Sequence, residues 1–339
     1  MISYSVATDY LEFDTPFPAI TICEYVTESK SDTAHVSKYL KERQLSSLLA
    51  FTKDVTYYNI KTCKSCITCK VGQSCIEDFE VMVNDIRRKC PELLTKCSWN
   101  GETFPCCERF RPMTTEYGTC FTFNSRMTDN QEVYSVNRKT GLPQLTFEAI
   151  EQVRIRVQSS NDTLSVASEN ILTKCDILPL ITDFDLVLSA EQTISDTSVQ
   201  ALTPSSRDCL FGHERPAFGH LWPFAEYSYS SCLLYARAIV QSEICNCTHH
   251  FMPIIGDIPK CDIKGLACLS KNKGDLGVNK YNCPMSCDEV TYRLVHVTCP
   301  RHIGKVQGND AHSHGTRGRV QLGSLPSLRV RRQAIRELL

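Results

Sequence analysis

Cysteine is the residue type here that most invites chemistry: there are twenty, an even number, in 339 residues. Such a set can hold metal, supply a nucleophile or pair with itself, and spacing separates these cases. Cys63, Cys66 and Cys69 form C-x2-C-x2-C, with Cys90-Pro91 further on, much as an iron–sulfur run begins. The next cysteine, Cys75, comes too late for that run and has no proline after it. A structural zinc site asks for two separated C-x2-C pairs. The other clusters read Cys245-x-Cys247 and Cys283-x3-Cys287 and do not supply the second pair. The expectation is therefore disulfides, with no metal and no cofactor, in an oxidising compartment.

The other reactive residues form no catalytic set. G-x-S-x-G, a P-loop and H-E-x-x-H are all missing, so no enzyme is expected. His249-His250 lies in the densest cysteine cluster, but adjacent residues project differently and read as surface loop residues. His312-x-His314 lacks further ligands. Asp183 and Asp185 fall on one face of an expected strand and read as solvated. Two sequons, Asn161-Asp-Thr163 and Asn246-Cys-Thr248, are glycosylation acceptors in an exported chain. Asn161 is expected to be used more fully, because a cysteine sits at the centre of the second.

The elements that must hold these residues come from periodicity. With 42% apolar and 22% charged residues the chain is globular, and its net charge of −1 points to no nucleic-acid partner. Residues 1–26 read as an extended opening strand after Pro16 and Pro18. Helical spacing covers 33–52, through Val36, Tyr39, Leu40, Leu48 and Leu49. A second helix is expected over 74–89, opened by a Ser74-x-x-Glu77 capping box. Strands are expected at Gln152–Gln158, Asp183–Ser189 and Val290–Val297, and a third helix from Ser230 to about Gln241. Helices and strands are segregated, so the class is α+β. Residues 300–339 are basic, rich in Gly, Ser and His, and read as a disordered tail. No export signal and no run of eighteen apolar residues is visible, which conflicts with oxidised cysteines unless a membrane segment lies outside the chain.

Three motifs resolve that conflict. The first is Thr15-Pro-Phe-Pro-Ala-Ile-Thr-Ile-Cys23. The second runs from Cys97-Ser-Trp-Asn-Gly101 through Cys106-Cys107 and Phe110-Arg-Pro to Glu116-Tyr-Gly118-Thr-Cys120-Phe-Thr-Phe-Asn124. The third runs from Arg207-Asp-Cys209 through Tyr227-Ser-Tyr-Ser-Ser-Cys232, Cys245-Asn-Cys247, Phe251-Met-Pro253, Cys261 and Cys268 to Cys283-Pro-Met-Ser-Cys287. Together they resemble the degenerin/epithelial sodium channel family, most of all its arthropod pickpocket branch, over about residues 4–298.

The resemblance implies a clenched-hand ectodomain over 1–299, with a central β-sheet of palm and β-ball, a helical finger near 30–120 and a disulfide-stapled helical thumb near 205–287. It pairs Cys23 with Cys120, Cys97 with Cys106 or Cys107, Cys209 with Cys287, Cys232 with Cys283, Cys245 with Cys268, and Cys247 with Cys261. Cys63, Cys66, Cys69, Cys75, Cys90, Cys175 and Cys299 receive no partner. A further thumb bridge of acid-sensing relatives would fall on Ala236 and Tyr281, both partners being replaced together. Leu269-Ser-Lys-Asn-Lys273 is basic where proton-sensing members are acidic, so proton gating is not expected. The implied function is that of a stimulus- or ligand-gated, amiloride-sensitive sodium channel subunit at the plasma membrane. Its partners would be other subunits of a homo- or heterotrimer, sodium ions and an extracellular ligand or stimulus. The chain is expected to begin just after a first membrane helix, with the basic tail standing where the second is due. The rival reading is a secreted disulfide-rich binding protein.

Overall fold

The computed structural model describes residues 2–7, 14–25, 34–57, 63–128, 133–166, 171–172, 177–178, 183–274, 280–298, 316–322 and 327–333. The strands are β1 (Ile2–Ala7), β2 (Asp14–Pro16), β3 (Ala19–Glu24), β4 (Leu94–Trp99), β5 (Glu102–Phe104) and β6 (Arg111–Thr115). There follow β7 (Gly118–Phe123), β8 (Ser135–Asn137), β9 (Gln144–Ala149), β10 (Val153–Gln158), β11 (Ile177–Leu178) and β12 (Asp183–Ser195). The last are β13 (Cys209–Leu210), β14 (Met285–Ser286), β15 (Glu289–Thr298), β16 (Thr316–Leu322) and β17 (Ser327–Gln333). The helices are α1 (Ala34–Glu42), α2 (Leu49–Thr56), α3 (Lys64–Ile67), α4 (Phe79–Ile86) and α5 (Cys90–Leu93), then α6 (Cys106–Arg109), α7 (Thr197–Gln200), α8 (Pro204–Arg207), α9 (Tyr229–Cys245) and α10 (Ile263–Lys271).

Two sheets form the centre. One runs β11-β10-β3-β7-β6. The other has eight strands in the order β1-β17-β12-β16-β9-β4-β5, with β15 on the far edge of β12. In β10 the alternation of Val153, Ile155 and Val157 with Arg154, Arg156 and Gln158 buries one face and leaves the other half-buried. That apolar face meets Ile20, Ile22, Phe121 and Phe123 on its own sheet and Leu145, Phe147, Phe184, Leu186 and Val320 on the other, making one core.

The first two motifs meet inside this core. Phe17 packs edge-on to Trp99 with ring centroids 4.7 Å apart, and Phe123 stacks on Tyr134 at 5.4 Å. Asn124, at φ 62°, donates through Nδ2 to the Phe17 carbonyl at 2.5 Å and accepts from the Tyr134 amide at 2.6 Å. Asn100 and Gly101, at φ 53° and 88°, make the tight turn that joins β4 to β5.

A second core is helical. Val36, Leu40, Phe51, Val55, Phe79, Met82 and Val83 from α1, α2 and α4 share it with Val240, Phe251, Ile263, Leu266 and Leu269 from α9, α10 and their connection.

Several sequence expectations need correction. The helix expected over 33–52 is broken: Gln44 adopts φ 61°, its amide bonds the Lys41 carbonyl, and the Leu45 amide bonds the Leu40 carbonyl. This is a Schellman ending made without glycine, and α2 starts afresh. The Ser74–Glu77 capping box does not form. Ser74 Oγ accepts from the Lys70 amide inside a turn, and the helix opens only at Phe79. The strand expected over 183–189 runs on to Ser195, and the helix from Ser230 extends to Cys245.

The largest correction concerns the tail. Residues 316–322 and 327–333 are strands of the central sheet, β16 parallel to β12 and antiparallel to β9. The register sets Arg317 opposite Asp183 and Arg319 opposite Asp185, and Arg319 Nε lies 3.4 Å from Asp185 Oδ1. A carboxylate on a strand distant in sequence thus pairs with one of the charges that made the tail look unstructured. Strand β17 then pairs antiparallel with β1, bringing Gln333 opposite Ile2. His312 and His314 lie outside the described residues.

Candidate functional site

The third motif builds an arm around α9. Ser228 Oγ caps its start by accepting from the Ser231 amide, and Asn246 at φ 55° ends it. Eleven of its residues are buried on all sides, so this is a central helix rather than a surface one.

Disulfides staple the arm from base to tip. Cys209–Cys287 lies beside the short β13–β14 pair; Cys232–Cys283 ties the first turn of α9; Cys245–Cys268 joins its last turn to α10; Cys247–Cys261 closes the connection. Asp262 caps α10 through the Gly265 amide at 2.7 Å. Position 265 takes glycine because a Cβ there would stand 2.5 Å from Cys247 Sγ.

Elsewhere Cys23–Cys120 bridges β3 and β7, and Cys97 is joined to Cys106 while Cys90 takes Cys107. The remaining described cysteines form two local bonds, Cys63–Cys66 and Cys69–Cys75. These two and Cys90–Cys107 have no partner readable from spacing. Cys175 and Cys299 lie outside the described residues. In the chain-entropy treatment the Cys247–Cys261 closure, with separation 14, contributes about 3 kcal/mol, and Cys23–Cys120, with separation 97, about 4.7 kcal/mol.

Three polar contacts seat the arm. At the base, Ser230 Oγ donates to Asp162 Oδ1 at 2.8 Å and accepts from the Thr163 amide at 3.1 Å. Burial raises the Asp162 carboxyl, against the pull of the Ser230 and Ser228 hydroxyls. A cleft of about 940 Å³ opens beside it, lined by Arg156, Glu226, Tyr227, Gln192 and Tyr292.

Midway, Arg237 Nη1 lies 2.9 Å from Glu116 Oε1 in the turn between β6 and β7. The other oxygen of Glu116 accepts from Ser165 Oγ and the Val166 amide at 3.1 and 2.7 Å. Both charges are buried.

At the tip, His249 and His250 stack at 4.1 Å between the arm and the α2–α4 helices. They are not surface loop residues: His249 is 2% exposed, and the loop that carries them is pressed into the second core. The Phe251 amide donates to His249 Nδ1, and His250 Nε2 bonds the Val55 carbonyl at 3.0 Å. Burial, with Lys260 nearby, holds His249 well below the usual imidazole range and His250 at about 4. Burial likewise brings Lys260 down to about 8.

Arg87 completes the junction. Its guanidinium donates to the carbonyls of Thr56 and Thr119, lies 3.9 Å from Glu24 and faces the ring of Phe251. One buried cation thus touches the helices, the sheet and the arm. Burial lowers its pKa, and Glu24 opposes that. Sequence reasoning missed Arg87, Arg237 and the histidines, since their partners lie 31 to 195 residues away.

Where acid-sensing relatives are expected to have a further bridge, Ala236 is buried and Tyr281 donates to Glu243 Oε1 at 2.6 Å. Tyr281 also stacks on Phe218 at 4.4 Å. Of the sequons, Asn161 is half-buried with Nδ2 3.4 Å from Glu226, while Asn246 is exposed at the end of α9. Among the described residues, no helix is long and apolar enough to cross a membrane.

Comparison with known proteins agrees with this framework. The amiloride-sensitive sodium channel family profile matches residues 1–313. The chain is 25% identical to the sodium channel protein Nach of Drosophila virilis, over 68% of this chain and 65% of that one. It is also 25% identical to the human bile acid-sensitive ion channel, over 59% of this chain and 40% of the relative. With acid-sensing ion channel 4-B of Danio rerio it shares 28% identity, over 54% and 34%. The chain therefore spans between about a third and two thirds of the length of these relatives. The match over nearly the whole described length leaves an unrelated secreted binding protein without support, and the chain belongs to the amiloride-sensitive sodium channel family.

Proposed function

We propose that this chain is the extracellular part of a sodium channel subunit, in which α9, α10 and their staples form the thumb, residues near 30–120 the finger, and the two sheets the palm and β-ball. An extracellular ligand or stimulus moves finger and thumb, and the palm relays that movement to a pore for sodium ions. The complete subunit sits in the plasma membrane and assembles with two others, identical or related. The ectodomain extends past residue 299, because β16 and β17 belong to the palm on this reading.

The observation that carries the proposal is the double seating of α9. A long buried helix stapled along its length, and bonded beside the sheets through Asp162 and Glu116, moves as a lever and not as a loose lobe. A second support is the antiparallel pairing of β1 with β17, which brings the first and last described strands together at one end of the palm sheet. Membrane segments attached at that end would feel any change in the sheet. The nine disulfides among the described residues fit the oxidising side of the membrane.

Glycosylation tests the extracellular placement. On this reading Asn161 and Asn246 are acceptors, with Asn161 used more fully. The ectodomain set between the membrane helices of a sodium channel relative should reach the cell surface and show a glycosidase-sensitive mass shift that Asn161→Gln largely removes. Surface protein with no such shift would contradict the placement, and a shift unchanged by Asn161→Gln would contradict the preference for Asn161 over Asn246.

A further inference from the structure

The C-x2-C-x2-C-x5-C run at 63–75 takes no part in the seating of α9, yet it lies where the helices of the second core meet the arm. Its inner bond, Cys63–Cys66, is closed to solvent, with both residues at most 4% exposed. Its outer bond, Cys69–Cys75, pairs a fully buried cysteine with a half-exposed one. Exposed Lys70 follows Cys69 directly. Other bonds also join half-exposed cysteines, among them Cys245–Cys268. Cys69–Cys75 closes a much shorter loop, with separation 6 against 23.

Loop length decides how well the fold protects a bond. A disulfide that stabilises the fold is itself stabilised by the fold to the same degree, and that mutual gain grows with the loop it closes. A short loop gains least, so its bond yields at the mildest reducing poise once a thiol can reach it. The inner bond closes a still shorter loop but joins two buried cysteines.

We propose that Cys69–Cys75 is a thiol–disulfide exchange site for an extracellular dithiol, and that its opening loosens the contact between the α2–α4 helices and α10. The dithiol's thiolate attacks Cys69 Sγ. The electron pair of the S–S bond leaves on Cys75 Sγ, which takes up a proton. The second thiol of the reagent then displaces Cys69 and departs as a disulfide, so one dithiol is oxidised as one cystine is reduced.

The consequence follows from what the knuckle holds. The Cys63 amide donates to Ser270 Oγ at 2.7 Å, and that hydroxyl returns a bond to the Cys63 carbonyl at 3.2 Å, fixing α3 to α10. Ser65 donates to Asp54 Oδ2 from its amide and its hydroxyl at 2.9 and 2.6 Å, fixing α3 to α2. Cys75 is part of the same core. The turn between the two cysteines keeps its own bonds, Gly72 amide to Cys75 carbonyl and Lys70 amide to Ser74 Oγ, both at 3.0 Å. The thiols therefore stay near each other and the bond can reclose.

The test uses the full chain, needs no membrane and stands whether or not the chain forms a pore. The oxidised protein is equilibrated with graded dithiothreitol, its thiols are alkylated and mapped by mass spectrometry, and hydrogen exchange is followed across α10. Cys69 and Cys75 should be alkylated at a dithiol-to-disulfide ratio about sixfold below that for Cys245 and Cys268, by the three-halves power of the loop ratio. Exchange in Leu266–Lys271 should quicken in the same window, and Cys69→Ser/Cys75→Ser should show that faster exchange without reductant. Opening of Cys245–Cys268 first or together with Cys69–Cys75, or unchanged exchange in α10 once Cys69 and Cys75 are alkylated, would overturn the proposal. If the double variant does not fold, the titration of the unaltered chain still decides.

Discussion

Arg237 on α9 and Glu116 in the β6–β7 turn form a buried ion pair 2.9 Å apart, joining residues 121 positions distant in the chain. The Glu116 carboxylate is also held by Ser165 and by the Val166 amide. Removing one partner leaves a buried charge uncompensated, which costs more than the pair itself contributes. Glu116→Ala should therefore destabilise the chain by about 3–5 kcal/mol in urea unfolding. Glu116→Gln combined with Arg237→Met, which removes both charges and keeps an acceptor for the Val166 amide, should recover part of that loss. A Glu116→Ala variant within about 0.5 kcal/mol of the parent would show that the contact is superficial.

The stacked histidines give the fold an acid limit. Burial keeps both imidazoles neutral, and the charged groups facing them, Lys260 and Arg87, are cations that oppose protonation further. Glu80 bears on Lys260 and does not offset this. Folded values below that of a free imidazole mean the stability is complete above about pH 6.5. It is lost as pH falls from there toward about 4, where folded His250 charges as well. The loss traceable to His250 is on the order of 3 kcal/mol over that window. Urea midpoints at pH 7 and pH 5 measure it, and His250→Phe should flatten the difference. An equal slope in both proteins would place the acid sensitivity elsewhere.

Gly318 tests the place of the tail in the sheet. It sits opposite Phe147 in the β16–β9 ladder, and a Cβ there would stand 2.5 Å from the end of that ring. Gly318→Val should cost at least about 2 kcal/mol and speed hydrogen exchange in 317–322. A neutral substitution would mean that β16 is not seated between β9 and β12.

The sequence was most legible where local pattern and tertiary demand agree. β10 could be read because its alternation faces a core on one side only, and α9 because its apolar residues form one dense run. The three motifs carried the family because they hold residues the fold needs at single positions: Phe17, Trp99 and Asn124 lock together, and Gly101 makes a turn that other residues resist. The break at Gln44 was invisible because its left-handed conformation is held by the backbone bonds of the helix end, without the usual glycine. The tail misled because alternation in Arg319-Val-Gln-Leu322 is swamped by charge, and the carboxylate that pairs with Arg319 is contributed by β12. For the histidines, adjacency in the chain says nothing of a helix folding over them.

The most direct test of the channel assignment is a paired whole-cell recording. One cell line expresses residues 1–339; the other expresses residues 2–333 set between the two membrane helices of a sodium channel relative, with surface labelling of both. Ion flow across a bilayer requires closed helical or barrel structure, because unpaired backbone groups in hydrocarbon cost several kcal/mol each. No described helix of this chain can span. The account predicts an amiloride-sensitive sodium current from the chimera and none from the chain by itself. A robust sodium current from the chain alone, or a surface-expressed trimeric chimera that never conducts under any extracellular stimulus tried, would contradict it.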